Sequence, residues 1–407
     1  MNEALMKEIE SLEPQMVETL GKMIEYPAVS PKNGGAGEFH KAQYLLAKIK
    51  ELGFDDVKVY ASSDPLAAGG ERPNLVVSYP GKTKRRLWFV SHTDVVPEGE
   101  RSLWQTDPFK AVVKDGKIYG RGVLDNGQAL VASLYALYAV KKLGIAPEYE
   151  ICLALVADEE VGSKQGIQYL IKKGLFRADD LVLVPDMENE AGDFIEIAEK
   201  SILWAEFTVD GKQVHASTPQ LGNNACRAAN ALSVALDEAL HAAFPEEDSL
   251  FDPPVSTFEP TRRAQNVTNI NTVPGREVFA FDCRVLPSVP LEEVEKVIAA
   301  EIKKVREKYG VTVAYGFEQR EQAPAPTSPD AEAVKLLTDA VKEIFPKVEP
   351  KAGGVGGGTC AAYFRAAGIP AAVWGQAEDC AHMPNEYSVI KYLTNNAKVF
   401  ALMMVGK

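Results

Sequence analysis

A chain of 407 residues, 46% apolar and 25% charged, has room for roughly two to three folded domains and the composition of an ordinary globular protein. Its 44 lysines and arginines face 57 aspartates and glutamates, and the formal charge of -13 repels phosphate backbones and anionic bilayers. Neither nucleic acid nor a membrane is therefore an expected partner.

The first stretch, MNEALMKEIESLEPQM, is amphipathic and acidic, so no secretory signal is readable. No apolar run approaches the roughly 18 residues of a membrane span. The five cysteines, Cys152, Cys226, Cys283, Cys360 and Cys380, are scattered and form no Cys-x-x-Cys pair. Reduced thiols and a cytoplasmic location are expected, with neither a disulfide scaffold nor a thiolate zinc site.

Up to about residue 198, short apolar runs alternate with helical patterns: 75–79, 87–91, 151–157 and 181–185. Unbroken apolar strands between helices predict an α/β domain whose mixed, mostly parallel sheet carries helices on both faces. From 199 to 320 the reading changes to a strand at 202–209, a helix at 224–243, strands near 266–272 and 276–285, a helix at 291–309 and a strand at 311–316. Two helices and about four strands in that order predict a small ferredoxin-like α+β unit. A Gly-rich loop at 352–359, a helix at 360–367 and the apolar run 369–375 then resume the first pattern. The expected organisation is one catalytic domain in two segments, 1–198 and 321–407, with a domain inserted at 199–320.

Five polar clusters stand at strand ends or loop tips, where ligands of α/β sheets gather. In LWFVSHTDVV, His92 and Asp94 follow a strand, and the acid can hold the far ring nitrogen of a metal-binding histidine. In YGRGVLDNGQ, Asp125 precedes a helical run, which makes a plain N-cap the competing reading. ICLALVADEEVGS ends a buried strand on Asp158, Glu159 and Glu160; adjacent side chains diverge in an extended segment, so one glutamate can bind a cation while the other takes a proton from water. A solvated acidic loop is the alternative. LVLVPDMENE places Asp186 at another strand end, and GQAEDCAHMPNEYS carries His382 in a loop, where a histidine is commonly just solvated. Two imidazoles and three carboxylates without a thiolate suit zinc, cobalt or manganese. Three carboxylates against two divalent ions leave about one positive charge for a bridging hydroxide, with ions about 3.5–4 Å apart.

These motifs, in this order, resemble the co-catalytic zinc peptidase family of aminoacylase, acetylornithine deacetylase, succinyl-diaminopimelate desuccinylase, carnosinase-type dipeptidases and glutamate carboxypeptidase. SHTDVVP, YGRGVLD, ADEEVGS and the inserted VHASTPQLGNNA carry the likeness, which spans nearly the whole chain. The resemblance implies two divalent ions, with Asp125 bridging, Glu160 and His382 completing one site, and His92 and Asp186 the other. It makes Glu159 the general base and Asp94 the residue that orients His92. It also implies a homodimer through the inserted domain, with His215 of one subunit stabilising the oxyanion in its partner's site. Asn271 and Arg284 resemble the pair that grips substrate carbonyl and carboxylate, and Gly358 and Thr359 resemble the family's Gly-Gly-Thr loop.

Two departures bear on substrate. Asp125-Asn126-Gly127-Gln128 replaces the family's Asp-x-Lys-Gly, and Cys360-Ala361 replaces the Ser-Asp of desuccinylases. Aspartate at position 186 resembles the peptidases of the family more than its deacylases. The expected activity is hydrolysis of the amide bond of a dipeptide or small N-acyl amino acid by a metal-bridging water. The alternatives are a desuccinylase or deacetylase of amino-acid biosynthesis and, from another class, a non-catalytic metal-dependent binding protein.

Overall fold

A computed structural model of the protein describes residues 2–406, with backbone alone at 187 and 188. These divide into two compact units: the first holds residues 2–197, 327–352 and 359–406, the second 198–326 and 353–358.

In chain order the first unit opens with helices α1 (Asn2–Ser11), α2 (Glu13–Met23) and α3 (Phe39–Glu51), then strands β1 (Val57–Ser63), β2 (Glu71–Tyr79) and β3 (Arg86–His92). The short β4 (Val112–Lys114) and β5 (Lys117–Tyr119) precede α4 (Gly127–Lys142), β6 (Glu150–Val156), α5 (Ile167–Lys172), β7 (Leu181–Asn189) and β8 (Phe194–Glu199). The second unit follows as β9 (Ser201–Asp210), β10 (Val214–His215), α6 (Ala225–Ala243), β11 (Thr257–Arg263), β12 (Thr272–Val273), β13 (Arg276–Val285), α7 (Leu291–Tyr309) and β14 (Thr312–Glu321). The chain closes with α8 (Glu332–Ile344), β15 (Lys351–Val355), α9 (Cys360–Ala366), β16 (Ala371–Gln376), β17 (Tyr387–Val389) and α10 (Ile390–Val405).

The main sheet runs β1-β2-β6-β3-β7-β16-β8-β15. Its centre, β6-β3-β7-β16, is parallel, whereas β1 with β2, β2 with β6 and β16 with β8 are antiparallel. Every residue of β3 is buried, as its apolar run requires of a strand covered on both faces. Helix α4 is buried nearly all round, with Leu130, Leu134 and Leu137 fully enclosed. Each such leucine contributes about 1.5–3 kcal/mol through the apolar surface it removes from water.

The second unit has a four-stranded antiparallel sheet in the order β11-β13-β9-β14. Leu232, Leu236 and Leu240, spaced by four on α6, pack with Phe207, Phe258, Phe279 and Phe281 of the sheet and with Val294 and Ile298 of α7. Asn224 starts α6, its side chain accepting from the Arg227 N–H at 3.0 Å.

The strand expected near 266–272 is not formed. That segment leads into the two-residue β12, and its apolar Ile270 is fully exposed. One edge of the sheet is β11 instead, a polar run with Pro260 and a register irregularity between Pro260 and Arg262. Proline cannot donate to a ladder and so belongs on an edge, which is why composition concealed this strand.

Candidate active site

The order β6-β3-β7 in a parallel sheet places the carboxyl ends of three strands side by side, about 4.8 Å apart. His92 is the last residue of β3, Glu159 and Glu160 follow β6, and Asp186 lies in β7 just past its apolar run. Asp125 precedes α4 on a turn whose Gly122 has a φ of 82°, and His382 sits in the loop between β16 and β17 with a φ of 62°. A polypeptide with these breaks can bring all five expected ligands to one sheet end.

They do meet. His92 Nε2 lies 2.8 Å from Asp125 Oδ1 and 3.4 Å from Asp186 Oδ1. His382 Nε2 lies 2.9 Å from Asp125 Oδ2 and 3.2 Å from Glu160 Oε2. The Asp125 carboxylate thus stands between the two imidazoles, one oxygen towards each. Among the described residues, ligand-type atoms of His92, Glu159 and Asp186, and of His92, Asp125 and Glu160, form groups within 4.8 Å.

The second tier holds the donors in place. His92 Nδ1 is 3.0 Å from the Asp94 carbonyl oxygen and 3.5 Å from its carboxylate. An Nδ1–H donated there leaves the Nε2 lone pair facing the cluster. The Asp94 carboxylate itself accepts from the backbone N–H groups of Glu159 (3.0 Å) and Glu160 (3.1 Å). Asp94 therefore clamps the acidic segment as well as His92. That segment is a 3-10 turn over Glu159–Val161 entered through a left-handed Asp158, not the extended chain expected from sequence. Asp125 is not a helix cap: Asn126 occupies that position of α4, and its amide donates to Asp186 Oδ1 at 2.6 Å and to the Pro185 carbonyl at 2.7 Å.

Electrostatics point to a cation. Burial and the Asp186 charge push the Glu159 carboxyl well above its usual range, and burial with the Asp125 charge raises Glu160 to about 7. Burial also raises Asp186. Burial opposes protonation of His92, but the Asp186 charge and the Asp125 contact outweigh it and hold the ring well above an ordinary imidazole. Contacts with Asp125 and Glu160 raise His382 to about 10. Burial would raise Asp125 too, yet its contacts with His382 and His92 lower it. Protons are thus standing where positive charge is needed. Glu160 Oε1 is buried with no hydrogen-bond partner among the described residues, an oxygen left for a ligand bond. No thiolate competes, since burial and the Glu159 charge push the Cys360 thiol well above its usual range. The donor set of imidazole and carboxylate fits borderline divalent ions.

Two residues with no motif of their own brace the cluster. The Glu386 carboxylate, 1% exposed, accepts from the N–H groups of Gly122 (3.0 Å), Leu124 (3.0 Å) and Asp125 (3.2 Å). Arg121 donates to Glu386 at 2.6 Å and to the His382 carbonyl at 3.2 Å. Glu386 lies in the His382 loop and Arg121 in the Gly-rich turn, so both were in view; only their pairing across 265 positions reveals their use. The turn also explains Gly127: a Cβ there would lie 2.3 Å from the Gly122 carbonyl oxygen and 2.7 Å from Leu20. No side chain fits where the family pattern expects lysine.

The remaining expected residues lie in the second unit, apart from Thr359. His215 pairs with Thr272 in the β10–β12 ladder, and the Ala216 N–H donates to the Asn271 carbonyl at 2.8 Å, which makes His215 and Asn271 neighbours. Arg284 on β13 donates from Nη1 to the Gly356 carbonyl at 2.7 Å, joining it to the Gly-rich loop that carries Gly358. Thr359 caps α9, its hydroxyl oxygen accepting from the Ala361 N–H at 3.1 Å.

Residues 88–405 match the model of peptidase family M20/M25/M40. The chain is 40% identical over 396 residues to an uncharacterized metallohydrolase of Methanocaldococcus jannaschii, covering 93% of this chain and 96% of that protein. It is 28% identical over 380 residues to a succinyl-diaminopimelate desuccinylase of Rickettsia bellii, covering 92% of each. In fold it is similar to a tripeptidase from Staphylococcus aureus (TM-score 0.77, 19% identity, 96% of this chain and 97% of that one). It is likewise similar to human carnosine dipeptidase 1 (TM-score 0.74, 18% identity, 100% and 99%). No helix among the described residues is long and apolar enough to cross a membrane. The chain belongs to peptidase family M20/M25/M40 and is a divalent-metal-dependent hydrolase of that family.

Proposed function

We propose that this hydrolase cleaves the amide bond of a dipeptide or other small N-acyl amino acid at a two-ion centre. The observation that carries the reading is the Asp125 carboxylate standing 2.8 Å from His92 and 2.9 Å from His382, the arrangement of a bridging ligand between two sites. In this reading His92 and Asp186 would hold one ion, and Glu160 and His382 the other, with Asp125 between them. Zn2+, with Co2+ or Mn2+ as substitutes, would suit these donors and would supply Lewis acidity, polarising the amide carbonyl and bringing the pKa of water towards about 7.

The chain's own residues do the rest. Glu159 accepts a proton from the attacking water and hands it to the leaving amine, a task suited to a carboxyl whose burial raises its pKa. Asp94 keeps that glutamate in place through the backbone N–H of residue 159. His215 of the partner subunit in a homodimer donates to the oxyanion. Asn271 orients the carbonyl, while Arg284 and the amides of Gly358 and Thr359 receive the product-side carboxylate. Free cysteines support a reducing, cytoplasmic setting.

The relatives named as a dipeptidase and a tripeptidase, together with Asp186, favour a short peptide. The desuccinylase relative supports an N-succinyl or N-acetyl amino acid as the second reading, with the same catalytic residues. A hydrolysis panel of dipeptides, tripeptides, N-acetyl and N-succinyl amino acids on protein of measured metal content separates them. Turnover of none of these by metal-loaded protein defeats both readings and leaves a metal-dependent binding protein.

A further inference from the structure

The His-x-Ser spacing of the inserted unit has a chemical consequence at the imidazole. The backbone N–H of Ser217 points at His215 Nδ1 from 3.2 Å, and the Ser217 hydroxyl oxygen lies 2.7 Å from the same nitrogen. An amide N–H can only donate. Nδ1 is therefore the accepting nitrogen, which in the neutral form of the ring places the proton on Nε2. The hydroxyl, which can donate as well, directs its hydrogen to the same lone pair.

The frame around this contact is hydrogen-bonded on both sides. The His215 carbonyl accepts from the Thr218 N–H at 3.0 Å and from the Thr218 hydroxyl at 3.3 Å, closing a turn that Pro219 continues. On the other side, His215 is in register with Thr272, and the Ala216 N–H reaches the Asn271 carbonyl. The ring is thus tethered through Nδ1 to its own turn, and that turn is tethered to the strand beside Asn271. His215 is exposed, and its Nε2 has no intramolecular partner among the described residues.

We propose that Ser217 is a positioning residue: it locks His215 as the Nε2–H tautomer, so that the neutral imidazole presents a hydrogen-bond donor and not a lone pair. This rests on the reading of His215 as the oxyanion donor. A developing oxyanion is stabilised by an N–H aimed at it and repelled by a nitrogen lone pair, so a tautomer exchange would cancel the residue's contribution. A ring free to rotate about its side-chain bonds would also spend part of its time aimed elsewhere.

The test uses full-length metal-loaded protein carrying 15N-labelled histidine, with the His215 signal identified by its loss in His215→Gln. Long-range 1H–15N correlation should show Nδ1 bare and Nε2 protonated in the neutral ring, and the same tautomer in Ser217→Ala, which keeps the backbone N–H and loses only the hydroxyl that helps hold the ring's direction. In kinetics, Ser217→Ala should lower kcat about tenfold, the worth of one hydrogen bond, with KM little changed. Ser217→Thr, which keeps the hydroxyl, should restore it. In a His215→Ala background, which itself costs about 100- to 1000-fold in kcat, Ser217→Ala should add nothing. A wild-type ring protonated on Nδ1 or mixed between tautomers overturns the proposal, as does full additivity of the two substitutions. A His215→Ala variant with wild-type turnover overturns the oxyanion reading instead, whatever the tautomer.

Discussion

Arg284 donates from Nε and Nη2 to the two carboxylate oxygens of Asp282, at 2.7 and 3.0 Å, so one edge of its guanidinium is already occupied by its own strand. Nη1 donates to the Gly356 carbonyl, and the guanidinium carbon lies 5.8 Å from the centre of the Trp204 ring. The fork is oriented before any ligand arrives, which reduces the ordering that binding would otherwise require. Removing Arg284 (Arg284→Ala) is expected to raise KM for carboxylate-bearing substrates by about 10- to 100-fold, as loss of a charge-assisted pair should. Asp282→Asn, which keeps the shape but loosens the orientation, should raise KM less, by about threefold to tenfold. Steady-state kinetics on a substrate and its carboxamide analogue decide the matter: equal effects on both would mean that Arg284 does not read the carboxylate.

Glu159 is expected to matter for rate and not for metal. Glu159→Ala should lower kcat by about 100- to 10,000-fold, the usual range for a general base. Metal content measured on the same preparation should stay at the wild-type value. Loss of an ion in this variant would make Glu159 a ligand, a role its place in one of the two ligand groups keeps in view.

Removing metal should change how stability depends on pH. Glu160 moves from 4.5 to about 7 and His382 from 6.5 to about 10 in the metal-free fold. Both bind protons more tightly folded than unfolded, so their contribution is complete below the unfolded values and declines as pH rises through the folded ones. Metal-free protein should therefore lose Tm progressively from about pH 5 to pH 10. Bound cations take the place of those protons, so chelation should cost more Tm at pH 9 than at pH 5. A chelation penalty that is constant or shrinks across this range, read by calorimetry, would refute the assignment of these two side chains.

Glu386 should be worth more than any surface acid. Glu386→Ala removes the acceptor of three backbone N–H groups and strands Arg121, both buried. A loss of about 3–5 kcal/mol is expected, as for other broken buried pairs. Because the same pair reaches Asp125 and the His382 carbonyl, ion affinity should fall too. Asp180→Asn, at the buried Arg86–Asp180 pair, is the control: it should lower Tm without weakening metal binding. Equal retention of metal in both variants, measured by titration with Co2+, would reduce Glu386 to a stability residue.

Much of the architecture could be read from the sequence because it depends on local patterns. The continuous apolar runs of β3, β6 and β7 are buried on both faces, and the leucine spacing of α6 makes an amphipathic helix, as period and composition demand. Residue types at the ends of those runs also suggested which side chains carry chemistry. Tertiary structure decided what no local pattern encodes. The strand order β6-β3-β7 sets His92 beside Glu159, Glu160 and Asp186, and a buried ion pair between Arg121 and Glu386 joins the turn of Asp125 to the loop of His382. The edge strand β11 was concealed because an edge tolerates proline and polar residues that a central strand does not. Asp94 was foreseen beside His92, but its grip on the Glu159–Glu160 turn depends on two segments 65 residues apart meeting. Hydrophobic periodicity is a property of neighbours along the chain, whereas a hydrogen bond or a shared charge is a property of neighbours in space; only the folded sheet converts the first into the second.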